Sequence, residues 1–146
     1  MEAAVKFTYE HAIKDKKKAA HKEEPLSIAS NTGYKSVSSN TGDNSVSSNT
    51  GYKSVSSNTG NYSVSSNTGN YSVSSNTGDS GIACSLGAHS KAKATKGNWL
   101  VLAEWLYNES KWEWELKGVK TAIVDGKKIK ENTLYELVDG KFMEAK

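Results

Sequence analysis

The chain repeats itself every nine residues. Ser-Asn-Thr-Gly at 30–33 returns at 39–42, 48–51, 57–60, 66–69 and 75–78; each copy is followed by two variable residues and, in the first five, by Ser-Val-Ser. A short fixed period makes each unit one piece of supersecondary structure that cannot bury a face alone and must stack on its neighbours. Ser, Asn, Thr and Gly also dominate disordered linkers, but a linker drifts at every position. Here Gly, Val and Asn hold phase and two positions per unit vary, so an ordered solenoid is expected over 25–96.

Within each unit Gly33, Gly42, Gly51, Gly60, Gly69 and Gly78 mark a turn, because glycine reaches positive φ without steric cost. The apolar member is Val37, Val46, Val55, Val64 and Val73, with Ile28 before the series and Ile82 after it. One β-branched residue flanked by serines predicts a short strand with one inward side chain per unit.

Nonapeptides also build the Ca²⁺-binding parallel β-roll, Gly-Gly-x-Gly-x-Asp-x-apolar-x, with two units to a coil. Gly33 and Val37 match its fourth and eighth positions, but the sixth, aspartate in that roll, holds Lys35, Asn44, Lys53, Tyr62, Tyr71 and Ser80. Calcium needs several oxygen ligands, so neither a metal nor any other cofactor is expected. Ladder hydrogen bonds, stacked Asn and Ser side chains and a thin valine seam would hold such coils together. Coils of eighteen residues would stack Tyr34-Lys35 on Tyr52-Lys53 along one wall and leave Asp43-Asn44 on the other.

Both flanks differ in composition. Residues 2–21 are rich in Ala, Lys and Glu with apolar residues at near-helical spacing, which predicts an amphipathic helix within an amino-terminal cap, 1–24, closed by Pro25. Residues 97–146 carry all four tryptophans and read as an antiparallel β module. Trp99–Trp105 and Lys111–Leu116 would pair through Tyr107–Ser110; Asp125-Gly126 would join Ala122–Val124 to Lys127–Ile129, and Asp139-Gly140 would join Leu134–Val138 to Lys141–Met143. The tryptophans are expected in its core, and the module would cap the open end of the solenoid. The fold class is therefore mainly β: a parallel β-solenoid with an amino-terminal helix and a carboxy-terminal antiparallel cap.

Chemistry has little foothold. His11, His21 and His89 are far apart with no carboxylate or cysteine at ligand spacing; no Gly-x-Ser-x-Gly elbow or Gly-Lys-Ser/Thr phosphate loop occurs. Glu104, Glu109, Glu113 and Glu115 read as a solvent face, so no enzyme is expected. The net charge of +3 is modest, and lysine runs of this size read as solvated surface rather than a nucleic-acid site. Met1–Glu10 lacks the pattern of a signal peptide, no apolar run reaches membrane-span length, and Cys84 is the single cysteine. A cytoplasmic or virion-associated protein is expected.

Gly81-Ile82-Ala83-Cys84-Ser85-Leu86-Gly87-Ala88-His89-Ser90-Lys91-Ala92-Lys93-Ala94 resembles the head repeats of YadA-like trimeric adhesins, whose heads are left-handed β-rolls. The whole array, followed by Gly97-Asn98-Trp99-Leu100-Val101-Leu102-Ala103-Glu104-Trp105 and Val124-Asp125-Gly126-Lys127-Lys128-Ile129-Lys130, is similar to uncharacterised Asn-Thr-Gly repeat proteins of phages and gut bacteria. That resemblance implies a phage or prophage origin, with a further domain often preceding the repeats.

The variable pairs point to a non-enzymatic protein-binding scaffold, because tyrosine gives large contact area at low rotamer cost. Tyr34, Lys35, Tyr52, Lys53, Tyr62 and Tyr71 are the candidate binding residues. A phage-encoded inhibitor of a bacterial defence protein, such as an anti-CRISPR, is one concrete version. A trimeric fibre or adhesin-head segment is the alternative, and an ice- or glycan-binding solenoid comes third. The expected partners are a protein and further copies of the chain, as a dimer or trimer, with no membrane.

Overall fold

The computed structural model describes residues 19–22 and 26–146. Nine four-residue strands come first: β1 Ala19–Lys22, β2 Ile28–Asn31, β3 Val37–Asn40, β4 Val46–Asn49, β5 Val55–Asn58, β6 Val64–Asn67, β7 Val73–Asn76, β8 Ile82–Ser85 and β9 Lys91–Ala94. Two long strands, β10 Trp99–Asn108 and β11 Glu113–Ile123, precede the short pair β12 Tyr135–Val138 and β13 Lys141–Glu144. They form two sheets, one ordered β1-β3-β5-β7-β9-β12-β13 and the other β11-β10-β8-β6-β4-β2.

The repeat strands pair in parallel at an offset of eighteen residues, Val37 beside Val55 beside Val73 in the seven-stranded sheet and Val46 beside Val64 beside Ile82 in the six-stranded one. Each coil therefore holds two nonapeptides, two strands and two turns. The expected parallel β-solenoid is present, about four turns long. Among the described residues there is no helix, and hence none long and apolar enough to cross a membrane. Most of the helix expected over 2–21 lies outside the described residues, but Ala19, Ala20 and His21 belong to β1, which pairs with β3.

The solenoid is inverted relative to the sequence expectation. Each repeat strand Val-Ser-Ser-Asn turns its second and fourth residues inward, so Ser38, Asn40, Ser47, Asn49, Ser56 and Asn58 are fully buried while the valines face out. The valines line up on the outside and form no interior seam. The interior is held by hydrogen bonds that repeat with the coil. Asn49 Nδ2 donates to the Val55 carbonyl oxygen (2.5 Å) and to Ser56 Oγ (3.0 Å), and Asn49 Oδ1 accepts from Ser38 Oγ (2.9 Å). Ser47 and Asn58 repeat the last of these bonds at 2.8 Å, Ser56 and Asn67 at 3.1 Å. Valines in those places would leave the carbonyls at the strand starts without these donors, at about 1–3 kcal/mol each. Such an interior is stable because nearly every group in it is paired.

The glycines also act differently from expectation. Positive φ falls not on them but on the second variable residue: Lys35, Asn44, Lys53, Tyr62, Tyr71, Ser80 and His89, at 53° to 57°. Glycine is required because coils touch there. A Cβ at Gly51, Gly60, Gly69, Gly78 or Gly87 would overlap the carbonyl oxygen of the glycine one coil earlier. The left-handed turn residue in turn aims its N–H along the stack, as Lys35 does to the Tyr52 carbonyl (2.9 Å) and Tyr71 to that of Ala88 (2.8 Å).

Toward the carboxy terminus the interior changes from polar to apolar. In the six-stranded sheet Ser65 and Asn67 give way to Ala83 and Ser85 and then to Leu100 and Leu102; in the other, Ser74 and Asn76 give way to Ala92 and Ala94 and then to Tyr135. Ala83, Ala92, Ala94, Leu100, Leu102 and Tyr135 with Val124 and Leu137 form the apolar core. The tryptophans do not join it. Trp99, Trp112 and Trp114 are exposed, and Trp105 is half-buried with its Nε1 donating to the Leu86 carbonyl (2.7 Å). The Asp139-Gly140 turn joins β12 to β13 as expected, whereas Asp125-Gly126 makes no hairpin: Asp125 Oδ1 accepts the N–H groups of Lys127 and Ile129 and starts a loop that runs to β12.

Candidate functional site

The eighteen-residue coil separates the two kinds of variable pair. Turns leading from the six-stranded to the seven-stranded sheet carry Tyr34-Lys35, Tyr52-Lys53, Asn70-Tyr71 and Ala88-His89; turns leading back carry Asp43-Asn44, Asn61-Tyr62, Asp79-Ser80 and, after the repeat has decayed, Lys96-Gly97. One edge is thus basic and aromatic, the other acidic and amide-rich. The sequence-derived candidates Tyr34, Lys35, Tyr52, Lys53 and Tyr71 share the first edge. Tyr62 stands apart on the second, two-thirds exposed.

Along the first edge the rings form a continuous column. Tyr34 stacks on Tyr52 with centroids 5.7 Å apart and planes within 6°, and Tyr52 meets Tyr71 at 5.3 Å. Tyr71 stacks on His89 at 5.1 Å, His89 and Trp114 meet edge to face at 5.3 Å, and Trp114 meets Tyr107 at 5.3 Å. Lys35 Nζ lies 5.2 Å from the Tyr34 centroid, and Lys53 Nζ lies 5.3 Å from that of Tyr52 and 6.0 Å from that of Tyr71. Contacts of this kind at exposed sites contribute about 0.5–1 kcal/mol each and hold the cations in place. Tyr71 enters through the second variable position rather than the first, where its left-handed backbone swings the ring back over Tyr52.

No family model, no curated protein and no solved structure matches the chain. What the surface can do therefore rests on its own geometry.

His89, Trp114 and Tyr107 were not visible as site residues in the sequence, because His89 lies where the repeat decays and the other two lie on the β10–β11 hairpin. That hairpin runs past the last coil and returns aromatic rings to the turn edge. Beside it, His89, Glu104, Trp105, Leu106, Glu136 and Val138 line a cleft of about 130 Å³. Its charged groups are engaged. Glu104, nearly buried, accepts the N–H groups of Asp139 (2.7 Å) and Gly140 (2.9 Å) and so fixes the β12–β13 turn, and His89 Nδ1 lies 3.2 Å from Glu136 Oε1. Cys84 lies on the outward side of β8, where burial pushes its thiol above the ordinary range and away from nucleophilic duty. Among the described residues no three His, Cys, Asp or Glu side chains gather as a metal site.

Proposed function

We propose that the protein is a non-enzymatic scaffold that binds another protein along the aromatic and basic turn edge. The observation that carries this reading is the unbroken column Tyr34–Tyr52–Tyr71–His89–Trp114 with Lys35 and Lys53 over its rings. The rings contact one another at little more than the strand spacing, so no base or sugar can slide between them. They offer edges and hydroxyls outward, in a row already ordered by the backbone. That favours a protein surface over a nucleic acid or a glycan, both of which recognise aromatic rings through their faces. The two lysines favour an acidic partner surface.

Taken with the resemblance of the repeats to phage-borne arrays, an inhibitor docked on a bacterial defence protein is the concrete form of the proposal. It is tested by capture from host lysate with wild type, with Tyr34, Tyr52 and Tyr71 all changed to Ser, and with Tyr62→Ser. A partner held by wild type and Tyr62→Ser but lost by the triple variant is expected. Retention by the triple variant would overturn the reading.

A further inference from the structure

We infer that the outward face of the six-stranded sheet is an interface with a second copy of this chain. Its first column of side chains is Ile28, Val46, Val64, Ile82, Trp99 and Ile123, aligned rung by rung across all six strands. The next column is Ser30, Ser48, Ser66, Cys84, Val101 and Thr121. Neither column holds a charge. Cross-strand register extends the same side down the hairpin through Val119 and Leu116 to Trp114, with Lys117 at the bulge between them. Of its apolar side chains Ile28, Val46, Ile82, Trp99, Ile123, Val119, Leu116 and Trp114 are exposed, while Val64 and Val101 are half-buried.

A contiguous side of this many exposed apolar residues is unlike the singly scattered apolar residues of an ordinary surface and marks a place of contact. Parallel sheets ordinarily have both faces covered. The opposite sheet is different: its outward column Val37, Val55 and Val73 ends on Lys91, with Lys93 beside it. Strand-to-strand addition at β11 is also discouraged, since Lys117 is an extra residue at a bulge opposite Glu104 and Trp105.

Three features select a second copy as the occupant. An uncharged face needs an uncharged partner, and this one matches itself. The ridge of Ile and Val recurs at the pitch of the coil, and another array meshes at every rung only if it has that pitch. A two-fold axis parallel to the stack would set each rung opposite the same rung of the other copy, closing the assembly at two.

The test is the mass of the full chain in solution across a concentration series, for wild type, Ile82→Lys and Val55→Lys. Lysine fits outward positions of this fold, because Lys91 already occupies the one that follows Val73. Wild type and Val55→Lys are expected to be dimers, with dissociation raised about tenfold or more by Ile82→Lys. Should Ile82→Lys fail to give the β-rich circular dichroism of wild type, the double variant Val46→Thr, Ile82→Thr reads the same face and is expected to weaken the dimer in the same direction. A wild-type monomer at every concentration, a trimer, or a dimer indifferent to a folded variant of this face would overturn the inference. Because the tyrosines of the turn edge are unchanged in these variants, failure here is separable from failure of the binding proposal.

Discussion

The Asn49 side-chain amide reaches across the coil from one sheet to the other and donates to the Val55 carbonyl oxygen at 2.5 Å. The same link recurs from Asn58 to Val64 and from Asn67 to Val73. Replacing Asn49 by Ala removes that donor, the bond to Ser56 and the acceptor for Ser38 together. A loss of about 2–4 kcal/mol is expected in denaturant unfolding, from buried groups left unpaired rather than from lost apolar area.

Among the described residues one interior acceptor lacks its donor. Asn40 Oδ1 is buried without a hydrogen-bond partner. In later coils the serine eleven residues earlier supplies it, Ser38 to Asn49 and Ser47 to Asn58, and for Asn40 that position is Ala29. Changing Ala29→Ser should stabilise the protein by about 1 kcal/mol, read as a higher unfolding midpoint with an unchanged slope.

The glycines separate two explanations of a repeat. Gly60→Ala forces a methyl group into the Gly42 carbonyl of the neighbouring coil and should cost more than about 3 kcal/mol or abolish folding, although its φ is ordinary. Gly118→Ala, whose added Cβ would meet nothing within 4 Å, should change the midpoint little. Thermal unfolding of the two variants checks both expectations.

Asp125 sets a pH dependence. Hydrogen bonds from the Lys127 and Ile129 N–H groups hold its carboxyl below the usual aspartate range. A depressed folded-state pKa gives stability that is complete above the unfolded value and is lost as pH falls through the folded one. The melting temperature of wild type should therefore drop relative to that of Asp125→Asn as the solution is acidified below the ordinary aspartate pKa. Parallel curves for the two proteins would contradict the assignment.

The period was legible in the sequence, and so was the wall that Tyr34 and Tyr52 would share in an eighteen-residue coil; the number of residues per coil came with the strand pairing. The direction of the side chains was not legible. Val-Ser-Ser-Asn alternates equally well in either sense, and a one-residue slip exchanges the faces. Hydrophobicity placed valine inside, but the interior amides and hydroxyls satisfy one another and the turn carbonyls, which depends on contacts between units and not on any one of them. The same holds for Gly51, whose obstacle is the backbone of Gly33, eighteen residues away. Trp114 was read as core because a short meander ordinarily buries its aromatics, while β11 is an edge strand and leaves it on the surface beside His89.

The inverted interior is the claim on which the column and the sheet face both depend, and unfolding of Val55→Thr and Ser56→Val measured side by side tests it most directly. Outward Val55 should tolerate threonine within about 0.5–1 kcal/mol, while valine at buried Ser56 should cost about 2–4 kcal/mol by breaking its bonds to the Ser66 carbonyl and Asn67. The reverse order, with Val55→Thr the damaging change and Ser56→Val harmless, would contradict it.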